Sequence, residues 1–269
     1  MIKLDGSANT GLLQQIQEKQ SSLLEKLASG KQVNKASDDV AAQLIIDRLS
    51  SQTQGNQQAI ANAYDGISLA QVAESGLANI NEDANRIREL TVQAGNGALN
   101  DADRKALQSE ISALQENISL TVEQTNFAGK PLLSGNQGED SGLRFLSSAS
   151  GSSISVDTPD VTSSISDLLS IDVTDAASRQ QALDIADSSI ETIGGFRGDL
   201  GASQNQFASA ARILTESTIN TQAAQSRLQD LDFAQATSEL AAAQIQGQAS
   251  LTVQSQANQQ QGQVLALLG

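Results

Sequence analysis

The sequence predicts a mainly α protein: an elongated, antiparallel helical coiled-coil bundle with a small central β-hairpin region. Three observations lead there. Both prolines, Pro131 and Pro159, fall in one central segment, and long Pro-free stretches lie on either side. Proline breaks helix interiors, so the layout reads as helices, a non-helical insert, then helices. Toward both chain ends apolar residues recur at alternating three- and four-residue steps, the rhythm of a coiled-coil seam. Aromatic residues make up only 2% of the 269 residues, with no Trp and one Tyr. Cores must then be built from Leu, Ile and Ala along thin helical seams, without aromatic bulk.

The first helix is expected over 5–29. Leu13, Ile16, Leu23 and Leu27 keep the seam spacing, with Gln20 as its polar member. Ser29-Gly30 supplies a stop, because Gly accepts the left-handed conformation after a last turn. After the connector KQVNKA, Ser37 is the expected N-cap of a second helix, with Asp38 and Asp39 in its first turn. Ala63, Ala70, Leu77 and Ala84 recur every seven residues, with Ile80 and Ile87 beside them, carrying this helix to Ala94. At ~1.5 Å per residue it would span about 85 Å. Gly95 and Gly97 punctuate it. Asn100 can cap a third helix whose buried face carries Leu107, Ile111, Leu114, Ile118 and Val122.

Residues 127–174 change character. Short apolar runs lie between turn residues, and Leu143, Phe145, Ile154 and Val156 alternate in the strand manner. Hairpins this small must pack on helices to be stable. From Leu183 the helical rhythm returns through Ala186, Ile190, Ile193, Leu200, Phe207, Ala211, Leu214, Leu228 and Leu231. Gly194, Gly195, Gly198 and Gly201 lower helix propensity there and would permit close helix approach or a bend. After Glu239 no charged side chain remains. A charge-free helix that still carries spaced apolar residues is expected to be buried among neighbours; the alternative is a solvated polar tail. The first end is mildly positive and the last mildly negative, which favours their pairing as a secondary effect. The chain is expected to go out along helices, turn through a β-rich tip and return.

The expected segments are 1–36 and 227–269 as one paired region, 37–126 and 177–226 as the helices of a second, and 127–176 as its β-hairpin part. The residues expected to pack the first region are Leu13, Ile16, Leu23, Leu27, Leu231, Leu240, Ile245, Val253, Val264, Leu265, Leu267 and Leu268.

Composition excludes several functions. The net charge is −15, and binding to nucleic acid or anionic membrane needs a basic patch this chain lacks. Cys and His are absent, which removes thiol nucleophiles, disulfides, most zinc sites and the usual general base. The pairs Asp38 with Asp39 and Asp101 with Asp103 are explained as first-turn helix residues, and Glu139 with Asp140 as a turn; no calcium-loop spacing is completed. The run GGFRG from Gly194 lacks a preceding strand and the spacing of a phosphate loop. No enzyme activity and no cofactor are expected. Neither a secretory leader nor a membrane-spanning stretch is read in the sequence. Ser147–Ser164 is rich in Ser and Thr, as plain loop or as O-glycosylation acceptor.

Four runs carry a family resemblance. LASGKQVNKASDDVAAQLIIDRL (Leu27–Leu49) and LANINEDANRIRELTVQAGNG (Leu77–Gly97) closely resemble N-terminal flagellin signatures. EQTNFAGKPLLSG (Glu123–Gly135) looks like the family's entry into its β-region, and the C-terminal run from ARILTEST to VLALLG resembles the flagellin C-terminus throughout. The resemblance covers about residues 1–135 and 180–269, in family order; the short middle implies a form without the variable outer domains. The N-terminal MIKLDGSA departs from the commoner Asn-rich start.

The resemblance implies a structural subunit of the extracellular flagellar filament, a helical homopolymer used for swimming. It implies export through the flagellum's own channel without a cleaved signal, with the export machinery, a flagellin chaperone and cap or junction proteins as partners. It also implies end helices that order as coiled coils in the filament core. It further implies Toll-like receptor 5 as a partner, with Arg86, Leu90 and Glu110 at family contact positions and Ala113 where a Gln is common. Ordinary surface charge also explains Arg86 and Glu110, and a core role also explains Leu90. A hook–filament junction protein and a cytoplasmic coiled-coil adaptor are the competing readings.

Overall fold

The computed structural model describes residues 6–135, 142–147 and 151–268, with the side chains of 6–10, 176–177, 261 and 264–268 left out of the description. Among the described residues six helices and two hairpins follow in order. They are α1 (Gly6–Ser29), α2 (Val40–Ala94), α3 (Asp101–Gln124), β1 (Asn126–Phe127), β2 (Lys130–Pro131), β3 (Gly142–Leu146) and β4 (Ser153–Asp157). Then come α4 (Val161–Ser164), a 3-10 turn at Leu168–Ser170, α5 (Ala176–Gln229) and α6 (Phe233–Leu268). The chain forms two compact units, residues 1–53 with 219–269 and residues 54–218. The division falls inside α2 and α5.

In the first unit α1 ends as expected: Gly30 takes φ +69°, and its N–H donates to Lys26 O at 2.9 Å. The start of α2 differs from expectation. Ser37 does not cap it. Asp39 does, its Oδ1 accepting from Ala42 N (2.9 Å) and its carbonyl accepting from Gln43 N (3.0 Å). Asp38 turns back instead and accepts from Asn34 N and Lys35 N, both at 3.0 Å, which closes the connector. An aspartate that satisfies two loop donors fixes where the helix can begin.

The second unit is built on α3 and the adjoining parts of α2 and α5. Leu77, Ile80, Ala84 and Ile87 of α2, Ile111 and Ile118 of α3, and Ala186, Ile193 and Phe207 of α5 are all fully buried. Polar side chains tie the helices at their margins. Asn117 Nδ2 donates to Asp83 Oδ2 (2.7 Å), Gln204 Nε2 to Glu74 Oε2 (3.0 Å), and Arg88 pairs with Asp187. Asn100 caps α3 through a capping box, its side chain accepting from Ala102 N and Asp103 N while Asp103 accepts from Asn100 N.

The alternation at Leu143, Phe145, Ile154 and Val156 gives the antiparallel β3–β4 hairpin, with Leu143 opposite Val156 and Phe145 opposite Ile154. Phe145 meets Phe207 edge to face, centroids 5.5 Å apart, so the hairpin is anchored on α5. The β1–β2 hairpin closes through Ala128 and Gly129 at φ 52° and 80°, the two left-handed positions of a tight primed turn.

Strand structure does not continue to residue 174, contrary to expectation. Val161, Ile165, Leu168, Ile171 and Val173 are buried, the first three on or beside the short helical turns Val161–Ser164 and Leu168–Ser170 and the last two on irregular chain after them. The Gln108 amide explains part of this, donating to Ile171 O (3.0 Å) and accepting from Val173 N (2.8 Å). Gln115 Nε2 donates to Leu168 O (2.9 Å). Two glutamines on α3 thus take up backbone groups that a strand partner would otherwise satisfy.

Candidate functional site

The chain ends are built as an antiparallel pair. Gln20 Nε2 of α1 donates to Ala243 O of α6 (2.8 Å), and Leu231 N donates to Gly30 O (3.0 Å). Gln32 N donates to Gln229 O (2.7 Å). None of the ion pairs among the described residues joins α1 to α6, so the expected charge pairing of the ends is replaced by amide and backbone hydrogen bonds. Gln20, read as the polar exception in the seam, is the residue that makes the cross-helix bond.

On α1 the seam is as the spacing predicts. Ile16 and Leu23 are buried, and Leu13 and Leu27 half-buried. On α6 the facing residues are small. Ala236 and Ala243 are buried, and a Cβ added at Gly247 would lie 3.5 Å from Ile16 Cγ2 and 3.2 Å from Gln20 Nε2. Ala236, Leu240, Ala243, Gly247, Ser250, Gln254 and Ala257 follow a 4-3 repeat and are buried or half-buried, while the residues between them are exposed except half-buried Glu239. Of the residues expected to pack this region, Leu231 and Leu240 are half-buried. Ile245 is 66% exposed and Val253 57% exposed, and Leu251 joins them at 57%. Val264, Leu265, Leu267 and Leu268 lie on α6, but their side chains fall outside the description.

The sequence reading selected large apolar residues on α6 and missed Ala236, Ala243 and Gly247. The 4-3 repeat of small residues was the available signal. Consequently α6 turns its small residues toward α1 and leaves branched ones in water. Ile245 lies opposite the seam, Leu251 and Val253 on its flanks, and Leu12 and Leu24 flank the seam of α1, 48% and 53% exposed. Together they make an uncovered apolar surface around a thin intramolecular contact.

A second surface lies in the other unit. Arg86 Nη2 sits 2.8 Å from Glu110 Oε1, and Arg86 Nη1 sits 3.1 Å from Glu89 Oε2. The bonds to Glu110 and then Glu89 raise the Arg86 guanidinium above its ordinary value. Arg86 and Glu110 are therefore one exposed, pre-oriented feature spanning α2 and α3. Leu90 is 1% exposed and belongs to the core. In the isolated chain its side chain is covered by the core of this unit.

The acidic residues have local duties. Bonds from Asn34 and Lys35 hold Asp38 below the usual carboxylate range. The Ser163 hydroxyl and N–H do the same for Asp160, and Thr174 for Asp172. Burial raises the Asp83 carboxyl, against the bond from Asn117. Glu139 and Asp140 lie outside the described residues. Among the described residues no cluster of three or more acidic side chains could hold a metal ion, and no helix is long and apolar enough to cross a membrane.

Comparison with known proteins agrees with these helices. The model of the bacterial flagellin N-terminal helical region matches residues 6–138, and that of the C-terminal helical region matches residues 183–268. A flagellin of Halalkalibacterium halodurans is 35% identical, covering 91% of this chain and 90% of its own. A flagellin of Bacillus subtilis is 36% identical, with 91% of each chain covered. The crystal structure of Bacillus cereus flagellin superposes with a TM-score of 0.52 at 25% identity, over 61% of this chain and 94% of that one. A hook-associated protein of Vibrio parahaemolyticus shares the fold, with a TM-score of 0.63 at 16% identity, over 72% of this chain and 100% of that one. With both terminal helical regions matched in order and relatives aligned nearly end to end, the chain belongs to the bacterial flagellin family and is a structural subunit of the flagellar filament.

Proposed function

We propose that the uncovered apolar surface around the α1–α6 seam is where this subunit packs against its neighbours in the filament core. Ile245, Leu251 and Val253 on α6, with Leu12 and Leu24 on α1, would be covered by other copies. Leu13, Leu27, Leu231 and Leu240 would close the rim, while Ile16 and Leu23 hold the seam. Val264, Leu265, Leu267 and Leu268 would extend the same packing to the end of α6. The observation that carries this reading is the burial pattern of α6, which carries no charge after Glu239 and turns small residues inward and branched residues outward. Burying a Val, Leu or Ile side chain is worth about 1.5–3 kcal/mol. Such helix faces repeated around a non-closing symmetry give an open filament.

The test is seeded polymerisation of Ile245→Ser with Val253→Ser. The variant should keep wild-type helicity as a monomer and fail to elongate on filament seeds. Normal elongation would remove the surface from the interface.

The family resemblance supplies the remaining partners as proposals: secretion through the flagellar export channel without a cleaved leader, aided by a flagellin chaperone and cap or junction proteins. Toll-like receptor 5 is proposed to read Arg86 and Glu110, supported by their exposure and mutual orientation. Arg86→Ala should weaken receptor activation by monomer while leaving polymerisation intact. An unchanged response would remove Arg86 from that contact.

A further inference from the structure

We propose that Asn96 is a self-modification site, at which the chain converts its own side-chain amide into aspartate and isoaspartate. Asn96-Gly97 is the one Asn-Gly pair in the sequence. It lies in the exposed turn between α2 and α3. Asn96 Oδ1 accepts from Ala98 N at 3.0 Å, which folds the side-chain amide over the intervening Gly97 peptide. Among the described residues nothing accepts from the Gly97 N–H, so the attacking nitrogen is free of a helix bond. Gly97 is exposed, and a Cβ built there would meet nothing within 4 Å.

The chemistry needs only water. Once Gly97 N loses its proton to hydroxide, its lone pair attacks Asn96 Cγ. The Ala98 N–H then donates to the oxygen on which charge develops, as an oxyanion donor does. Collapse expels ammonia, protonated by water, and leaves a five-membered succinimide. Water opens that ring at either carbonyl, giving aspartate or, by the other cleavage, isoaspartate with one extra methylene in the main chain.

Two asparagines of α2 lack one of these conditions. Asn81 and Asn85 lie inside α2, where the following N–H groups are held in the helix. Asn100 is the sharpest control. It sits in the same turn and its Oδ1 is also occupied, but Asp101 follows it and hinders attack. Conversion would change a working turn, since Asn96 O accepts from Leu99 N (3.2 Å) and Arg104 Nη2 (3.4 Å).

The full-length protein should be aged in mildly alkaline and mildly acidic buffer, then digested and mapped by mass spectrometry with isoaspartate detection. Asn96 should convert about tenfold faster than Asn100, equivalent to about 1.4 kcal/mol of barrier, with isoaspartate present and the rate rising with pH. Gly97→Ala should suppress conversion and leave the fold intact, because an added Cβ there meets nothing within 4 Å. Equal rates at Asn96 and Asn100, an absence of isoaspartate, or a well-folded Gly97→Ala variant that converts as fast would each overturn the proposal.

Discussion

Replacing Gly66 by alanine should destabilise the second unit, although the same change improves a helix almost everywhere else. A Cβ at Gly66 would lie 2.6 Å from Phe207 Cζ and 2.8 Å from two further ring carbons. Carbon atoms pack at about 3.5–4.0 Å, so the ring must move by about an ångström. It has little room: Phe207 is fully buried and meets Phe145 edge to face. Overpacking of this kind costs about 1–3 kcal/mol, against a helix-propensity gain of about 1 kcal/mol. Gly194 on α5 is the matched control, exposed and with nothing within 4 Å of an added Cβ, so Gly194→Ala should gain about 0.5–1 kcal/mol. Differential scanning calorimetry of the two variants should show shifts of opposite sign, about 2–4 °C per kcal/mol for a unit of this size. Adding Phe207→Leu to Gly66→Ala should cost less than the two changes summed, since the ring is the obstacle. A Gly66→Ala protein that melts at or above wild type would show that the Phe207 contact does not constrain the helix.

Other changes probe other contacts. Leu23→Ala should cost about 2 kcal/mol or more, read as lost helicity and faster amide exchange in α1 and α6 alone. Asn100→Ala should cost about 1 kcal/mol by opening the capping box, measured by urea unfolding. Glu110→Ala should change monomer stability by less than about 1 kcal/mol, because the pair with Arg86 is half-exposed. Asp160 caps α4 and its folded carboxyl lies below the usual range. Its contribution is therefore present above the ordinary carboxylate pKa and is lost as pH falls through the depressed value. Acid titration of stability should be shallower in Asp160→Asn than in wild type, and an identical slope would exclude Asp160 from the linkage. Asp83 has the opposite sign, since burial raises it. Asp83→Asn should lessen the destabilisation that wild type acquires as pH rises through that carboxyl's range.

Helix identity was legible because it rests on long periodic patterns. The heptad Ala63, Ala70, Leu77, Ala84 marked the α2 core, and alternation marked β3 and β4. What escaped depended on contacts distant in sequence. The glycines between 194 and 201 read as positions for close approach or a bend, and space around them is open, while Gly66 and Gly76 are the tight ones. Nothing local to Gly66 announces Phe207, far along the chain. The segment 161–173 is placed in the β-hairpin region because its helical turns are too short to show a period, and glutamines of α3 stabilise it. At the assembly surface, size guides the choice: bulky α6 residues are named as the packing set without separating seam from exterior. Leu90 follows the core pattern of its own helix and is buried with it.

The small-residue stripe on α6 has a consequence for how the ends respond to concentration. Each Ala standing where a Leu could pack forgoes about three carbon groups of burial, or roughly 2 kcal/mol. The α1–α6 clasp is therefore a weak fastener by itself, and the order of both termini becomes a property of the population. Dilution should loosen them and crowding of identical copies should tighten them by mass action. A loose end that stiffens only in company also keeps the branched side chains from locking prematurely onto their own molecule.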